Sequence, residues 1–110
     1  MEKWNLYTID RVITNRVITR GDDIPKNLYH LVVHVCIFNA KNQMLIQQRQ
    51  SFKEGWPNMW DVTVGGSAII GENSRQAAMR EVAEELGLKI DLENTSPVIT
   101  KYFNEGFDDI

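Results

Sequence analysis

One helix is written into this chain with both of its ends. Asn73 stands where an N-cap belongs, Gln76 sits three residues further on to complete a capping box, alanine and leucine favour the interior from Ser74 to Leu86, and Gly87 supplies the left-handed stop. No other segment reads as helix with that force, so the rest must be strand and loop, and the fold class is α+β. From His30 to Asn39 one parity is Leu31, Val33, Val35, Ile37 and the other mixes His30, Val32, His34, Cys36 and Phe38, the pattern of a central strand covered on both faces. The turn Asn39-Ala40-Lys41-Asn42 returns it into Gln43 to Arg49 as a β-hairpin. Gln50 to Asn58, with Gly55 and Pro57, reads as a loop over the sheet, and Trp60 to Val64 as a strand ending at Gly65-Gly66. Trp4 to Asp10 alternates like an exposed strand that pairs with Arg16 to Arg20 around Thr14-Asn15, and Pro97 to Phe103 is a further strand.

With 110 residues, 43% of them hydrophobic, the chain holds one small domain and has no room for two. A formal charge of −3 provides no basic field for a nucleic-acid polymer, so any phosphate handled here calls for a cation. The amino terminus lacks the apolar stretch of a signal peptide and no window has the length of a membrane span, from which a cytoplasmic protein without membrane contact is expected. The single cysteine, Cys36, lies in the apolar run LVVHVCIF and reads as a buried structural thiol.

On a helical wheel Glu81, Glu84 and Glu85 fall within about 100° of one face, with Met79, Val82, Ala83 and Leu86 as the opposite, packing stripe. Three carboxylates at i,i+3 and i,i+4 spacing repel one another. A solvated acidic face is the ordinary explanation. The chemical one is a hard divalent cation, Mg²⁺ or Mn²⁺, which prefers carboxylate and water oxygens and commonly bridges to substrate phosphates.

These acids lie in GSAIIGENSRQAAMREVAEELGL, residues 66–88, which resembles the box of the Nudix hydrolase family at every specified position: Gly66, Glu72, Arg80, Glu81, apolar Val82, Glu84, Glu85, Gly87 and apolar Leu88. Seven fixed identities at about 6% each make chance agreement on the order of 10⁻⁹ per starting point. The resemblance implies an α/β/α sandwich around a mixed sheet, with a substrate cleft beside Gly66. It implies Glu81, Glu84, Glu85 and the Gly66 carbonyl as ligands of Mg²⁺ or Mn²⁺, and Arg80 with Glu72 as the groups that orient those carboxylates. For Glu72 and Arg80 the competing explanation is a surface ion pair. The implied reaction is attack of water on phosphorus in the diphosphate linkage of a small molecule of the form nucleoside-diphosphate-X, with Glu84 or Glu81 as base; Glu105, Asp108 and Asp109 are later candidates that otherwise read as a solvated chain end.

Upstream, residues 16–88 resemble the Nudix branch related to isopentenyl-diphosphate isomerase. That activity implies a cysteine just before the box glycine and a histidine just after it, where this chain has Gly65 and Ser67. Hydrolysis is therefore the expectation, with the isomerase and a non-catalytic nucleotide-binding module as alternatives. His30 and His34 read as hydrogen-bonded strand histidines rather than metal ligands. Tyr29, Phe52, Trp56 and Trp60 are candidates to stack on a base, core packing being the default for Trp60, and Arg49 and Lys53 are candidates to meet phosphate. Related domains usually continue with more strands and a helix, so the chain is expected to lack a carboxy-terminal part, and an unpaired edge near Tyr102 then allows a homodimer.

Overall fold

The structure is a computed structural model that describes residues 2–48, 51 and 58–110. Most of the expected loop from Gln50 to Asn58, with Arg49, Phe52, Lys53 and Trp56, lies outside the described residues. The elements run β1 (Lys3–Tyr7), β2 (Ile13–Thr19), β3 (His30–Val35), β4 (Gln47–Gln48), β5 (Trp60–Asp61), β6 (Val64–Ser67), α1 (Ser74–Leu86), β7 (Thr100–Phe103) and β8 (Gly106–Asp109).

Four strands form a mixed sheet in the order β6-β3-β8-β7. β3 is antiparallel to β6, with Val33 opposite Gly66 and His34 opposite Gly65, and parallel to β8, with Val33 opposite Asp109. The α+β class and the central place of β3 are as expected. One helix, α1, is present among the described residues; the second helical layer of the sandwich is not among them, and the β1–β2 hairpin is the other element packed on β3. Among the described residues no helix is long and apolar enough to cross a membrane.

The helix begins and ends as its sequence requires: the Asn73 side chain accepts from the Gln76 N–H at 2.8 Å, the Gln76 side chain accepts from the Asn73 N–H at 2.9 Å, and Gly87 caps in the left-handed region. Its packing face differs from the wheel. Ala77, Ala78, Glu81 and Val82 are the buried positions, whereas Met79 is half-buried and Leu86 is 36% exposed. The small side chains of Ala77 and Ala78 let α1 approach β3 and β6, so the helix turns its alanines inward and brings Glu81 with them. The core gathers Leu31, Val33, Ala68, Ala77, Ala78 and Phe107, with Tyr29 among the half-buried residues against it.

Other expectations are corrected. The amino-terminal strand is not exposed, because Trp4 and the fully buried Leu6 face inward. Its hairpin turns at Thr8 to Val12, closed by the Thr8 N–H to Val12 carbonyl bond at 2.9 Å with Arg11 in the left-handed region, rather than at Thr14-Asn15. Trp60 is 65% exposed and takes no part in the core, and Cys36 is only half-buried. The expected strand from Trp60 splits into β5 and β6. The hairpin after β3 is present, with Asn39 Oδ1 accepting from the Lys41 and Gln43 N–H groups and Phe38 bridged to Met44.

The largest difference is β8. Residues read as a solvated chain end form an inner strand beside β3, with Phe107 fully buried and Asp109 3% exposed. Asp109 tolerates this because Arg11 grips both its oxygens, at 2.7 and 2.6 Å, and Thr100 donates at 2.7 Å. Tyr102, in β7, pairs with Phe107, so its strand is paired on the β8 side.

Candidate functional site

The site grows from the second half of α1 and the strand it rests on. β6 carries two consecutive glycines, and Gly66 faces the helix. A Cβ built on Gly66 would lie 2.5 Å from Glu81 Cδ and Oε1 and 2.9 Å from Oε2, distances no real contact tolerates. Absence of a side chain at position 66 is therefore what allows the Glu81 carboxylate to lie on the strand backbone.

Arg80 organises the surrounding acids. Its Nε and Nη2 donate to the two oxygens of Glu72, at 2.7 and 3.0 Å. Nη1 donates to Glu81 Oε1 at 3.0 Å and Glu84 Oε2 at 3.2 Å, and Nη2 also reaches the Ser67 carbonyl at 3.1 Å. One planar fork thus ties the loop before the helix, the helix and β6 together. The Glu72 pair raises the Arg80 pKa further above its already high ordinary value. Glu72 is itself steadied by accepting from the Ile69 N–H at 3.0 Å. Its two-point contact with a side chain only 21% exposed is more than the loose surface ion pair considered above.

The three candidate ligands sit in different surroundings. Glu81 is 8% exposed, and burial pushes its pKa up; Arg80 opposes this, while Glu85 and Glu84 add to it. The Glu84 side chain is 60% exposed. Glu85 lies at the surface and accepts from Gln47 Nε2 at 3.4 Å, so β4 reaches the same edge of the helix. Among the described residues no three His, Cys, Asp or Glu side chains converge as a closed ion cage. The expected convergence of Glu81, Glu84 and Glu85 on one point is thus not present, because Arg80 holds an oxygen each of Glu81 and Glu84 and Gln47 draws on Glu85. The donor chemistry still suits a hard divalent ion. Mg²⁺ keeps several waters and takes one or two carboxylates plus substrate phosphates in place of an all-protein cage. The Gly66–Glu81 contact sets one such carboxylate against bare strand backbone.

The later acids separate. Asp109 faces α1 and is occupied by Arg11 and Thr100, which hold its carboxyl below the usual range although burial pulls it up. It is unsuited to act as a base. Asp108 faces the opposite side of the sheet, where its Oδ2 is 2.6 Å from His34 Nδ1. This contact raises the His34 pKa, against the effect of burial. His30 lacks even that contact, and its ring stacks on Trp4 at 4.4 Å; the Nδ1 atoms of both His30 and His34 are buried without a well-formed hydrogen bond, so the expectation of hydrogen-bonded strand histidines fails at both, His34 keeping only its ion-pair contact with Asp108. Burial, with Arg20 adding, lowers the His30 pKa. Neither the Arg11–Asp109 pair nor the His34–Asp108 pair was legible beforehand. The one available signal was the alternation Gly106-Phe107-Asp108-Asp109, which marks a strand with an apolar residue on one face.

The NUDIX domain model matches residues 28–109. The chain is 55% identical over 109 residues to a protein named as an uncharacterized Nudix hydrolase of Listeria innocua; the match covers 99% of this chain and spans 64% of that relative. An isopentenyl-diphosphate Delta-isomerase of Shigella flexneri is 40% identical over 63 residues, covering 57% of this chain and 35% of the isomerase. Among solved structures, DR0079 from Deinococcus radiodurans superposes with a TM-score of 0.81 at 27% identity, covering 98% of this chain and 68% of that one. A family model that spans β3 through β8, matched by a strand, loop and helix built around Gly66 and Arg80, means that the chain belongs to the Nudix domain family.

Proposed function

We propose that the protein is a divalent-cation-dependent hydrolase that cleaves the diphosphate linkage of a small molecule of the form nucleoside-diphosphate-X. The observation that carries this reading is the five-bond fork of Arg80, which orients Glu72, Glu81 and Glu84 beside the bare backbone of Gly66. Glu81, Glu84, Glu85 and the Gly66 carbonyl are the groups that would hold Mg²⁺ or Mn²⁺. When bound, that ion supplies neutralisation of the charge that develops on the phosphoryl oxygens. Arg80 keeps the carboxylates from drifting apart under their mutual repulsion. Its exposure and its anchorage by one oxygen only support Glu84 as the group that takes the proton of an attacking water, with Glu81 as the alternative base.

The relatives named as Nudix hydrolases favour the same reading. The isomerase alternative gains nothing at position 65, where a glycine covered by an imidazole leaves no side chain to move a proton. The test is release of phosphate-containing product from a panel of nucleoside-diphosphate derivatives with Mg²⁺ or Mn²⁺. Glu84→Gln should lower kcat by at least about 100-fold. Full turnover by that variant removes Glu84 as base, and double-bond migration without product release would move the assignment to the isomerase.

A further inference from the structure

The loop that carries Glu72 runs from the end of β6 to the start of α1. Within it Ile69 to Glu72 form a turn, closed by the Glu72 N–H to Ile69 carbonyl bond at 3.0 Å, with Gly71 at φ 84° in the third position, where a type II turn wants glycine. That closure uses one N–H of the four. The Ile69 N–H is accepted by Glu72 Oε1 at 3.0 Å. The two central ones are both accepted by β1: Ile70 by the Lys3 carbonyl at 2.8 Å and Gly71 by Asn5 Oδ1 at 2.8 Å. Every N–H of the turn thus has a partner. Asn5 Oδ1 is the one side-chain acceptor among these partners that lies outside the Glu72–Arg80 fork.

Glu72 follows Gly71 directly, and its two oxygens take Arg80 Nε and Nη2 at 2.7 and 3.0 Å. Arg80 Nη1 in turn holds Glu81 and Glu84. A continuous set of contacts therefore runs from β1 to the candidate ligands. The β1–β2 hairpin lies outside the stretch matched by the family model, residues 28–109. We propose that Asn5 is a positioning residue of the site: by holding the Gly71 N–H it fixes the direction in which the turn presents Glu72 to Arg80, so that the amino-terminal hairpin takes part in arranging the carboxylates. Its bearing on cation binding rests on the hydrolase reading above. A glycine in the turn leaves many backbone states open to an unanchored loop, and Glu72 would then hold Arg80 from a hinge. The Asn5–Gly71 bond faces solvent, so water takes the place of a lost acceptor and the cost falls on geometry more than on stability.

The experiment follows two quantities on the intact protein: solvent exchange of the Arg80 Nε proton by NMR without divalent ions, and Mn²⁺ affinity by electron paramagnetic resonance. Asn5→Leu, similar in shape but without the acceptor, should speed the exchange about tenfold and weaken Mn²⁺ binding about tenfold, the lower end of what loss of a group behind metal ligands costs. Asn5→Ala should do the same where leucine impairs folding. Asn5→Asp keeps an oxygen for the Gly71 N–H and should restore both quantities. Thr14→Val removes the bond from the Thr14 hydroxyl to the Leu6 carbonyl at 2.8 Å, in the same hairpin but away from the turn, and should lower Tm with neither quantity changed. Unchanged exchange in Asn5→Leu and Asn5→Ala, no recovery in Asn5→Asp, or an equal effect of Thr14→Val overturns the positioning role. Faster exchange with unchanged Mn²⁺ affinity confines Asn5 to loop stability and overturns it as well. A wild type that binds no Mn²⁺ and cleaves no nucleoside-diphosphate derivative defeats the hydrolase reading instead, and the Arg80 exchange alone then decides for or against Asn5.

Discussion

Arg80→Lys keeps the charge and removes the fork. The guanidinium makes five hydrogen bonds in three directions, to Glu72, to Glu81 and Glu84, and to the Ser67 carbonyl. An ammonium has three donors radiating from one point and cannot bridge both oxygens of Glu72 while also reaching β6, so at least two bonds are lost. Charge-assisted bonds are each worth about 1.5–3 kcal/mol, and the arm to the exposed Glu84 contributes little of this. Glu72 and Glu81, with side chains 15% and 11% exposed, keep their charge with less compensation. The expected cost is about 2–3 kcal/mol. For 110 residues with an unfolding entropy of about 2.1 cal/mol/K each, that lowers Tm by about 10 °C. Calorimetric melts at neutral pH without divalent ions measure it, and hydrolysis by the folded variant should fall more than about tenfold as the carboxylates lose alignment. A variant melting within about 2 °C of wild type would refute the view that fork geometry, and not charge alone, holds this site together.

Two further outcomes concern pH. Glu81 has a raised pKa because burial disfavours its charge, so its contribution to stability is present at pH below the ordinary carboxylate range and is lost as pH rises through the raised value. Glu81→Gln should therefore melt higher than wild type at pH 7, the gap should close as pH falls below the ordinary carboxylate range, and activity should be lost; a variant that melts lower at pH 7 would show that Arg80 outweighs burial. Asp109 is the opposite case: held below its ordinary pKa by Arg11 and Thr100, it contributes stability above the ordinary carboxylate range that is lost as pH falls through the lowered value. Asp109→Asn should cost about 2–3 kcal/mol at pH 7, a fully buried pair being discounted because Arg11 is 35% exposed, and the cost should shrink in acid; chemical denaturation at several pH values would expose a constant gap as the contrary result.

The legible parts of the site were those whose residues lie close together along the chain. Glu72, Arg80, Glu81 and Glu84 belong to one loop and one helix, and their relation follows from helical spacing. The inward turn of Glu81 did not follow. A wheel ranks positions by polarity, which set Met79 and Leu86 against the acids. In the fold, the small volume of Ala77 and Ala78 decides which face approaches the sheet, and Gly66 leaves the space for the carboxylate that comes with them.

The chain's sequence by itself determined what local forces control: the limits of α1, written in Asn73, Gln76 and Gly87; the apolar strand β3; the Asn39–Gln43 turn; and membership of the Nudix domain family. Tertiary structure alone decided what depends on partners distant in sequence. Asp109 could be placed inside only because Arg11, 98 residues earlier, meets it, and Asp108 meets His34 only because β8 runs beside β3. Two aspartates near the end of a chain look like solvated charge until a sheet turns one toward the helix and the other toward the opposite face, since the cost of burying each is set by what the rest of the fold brings to it.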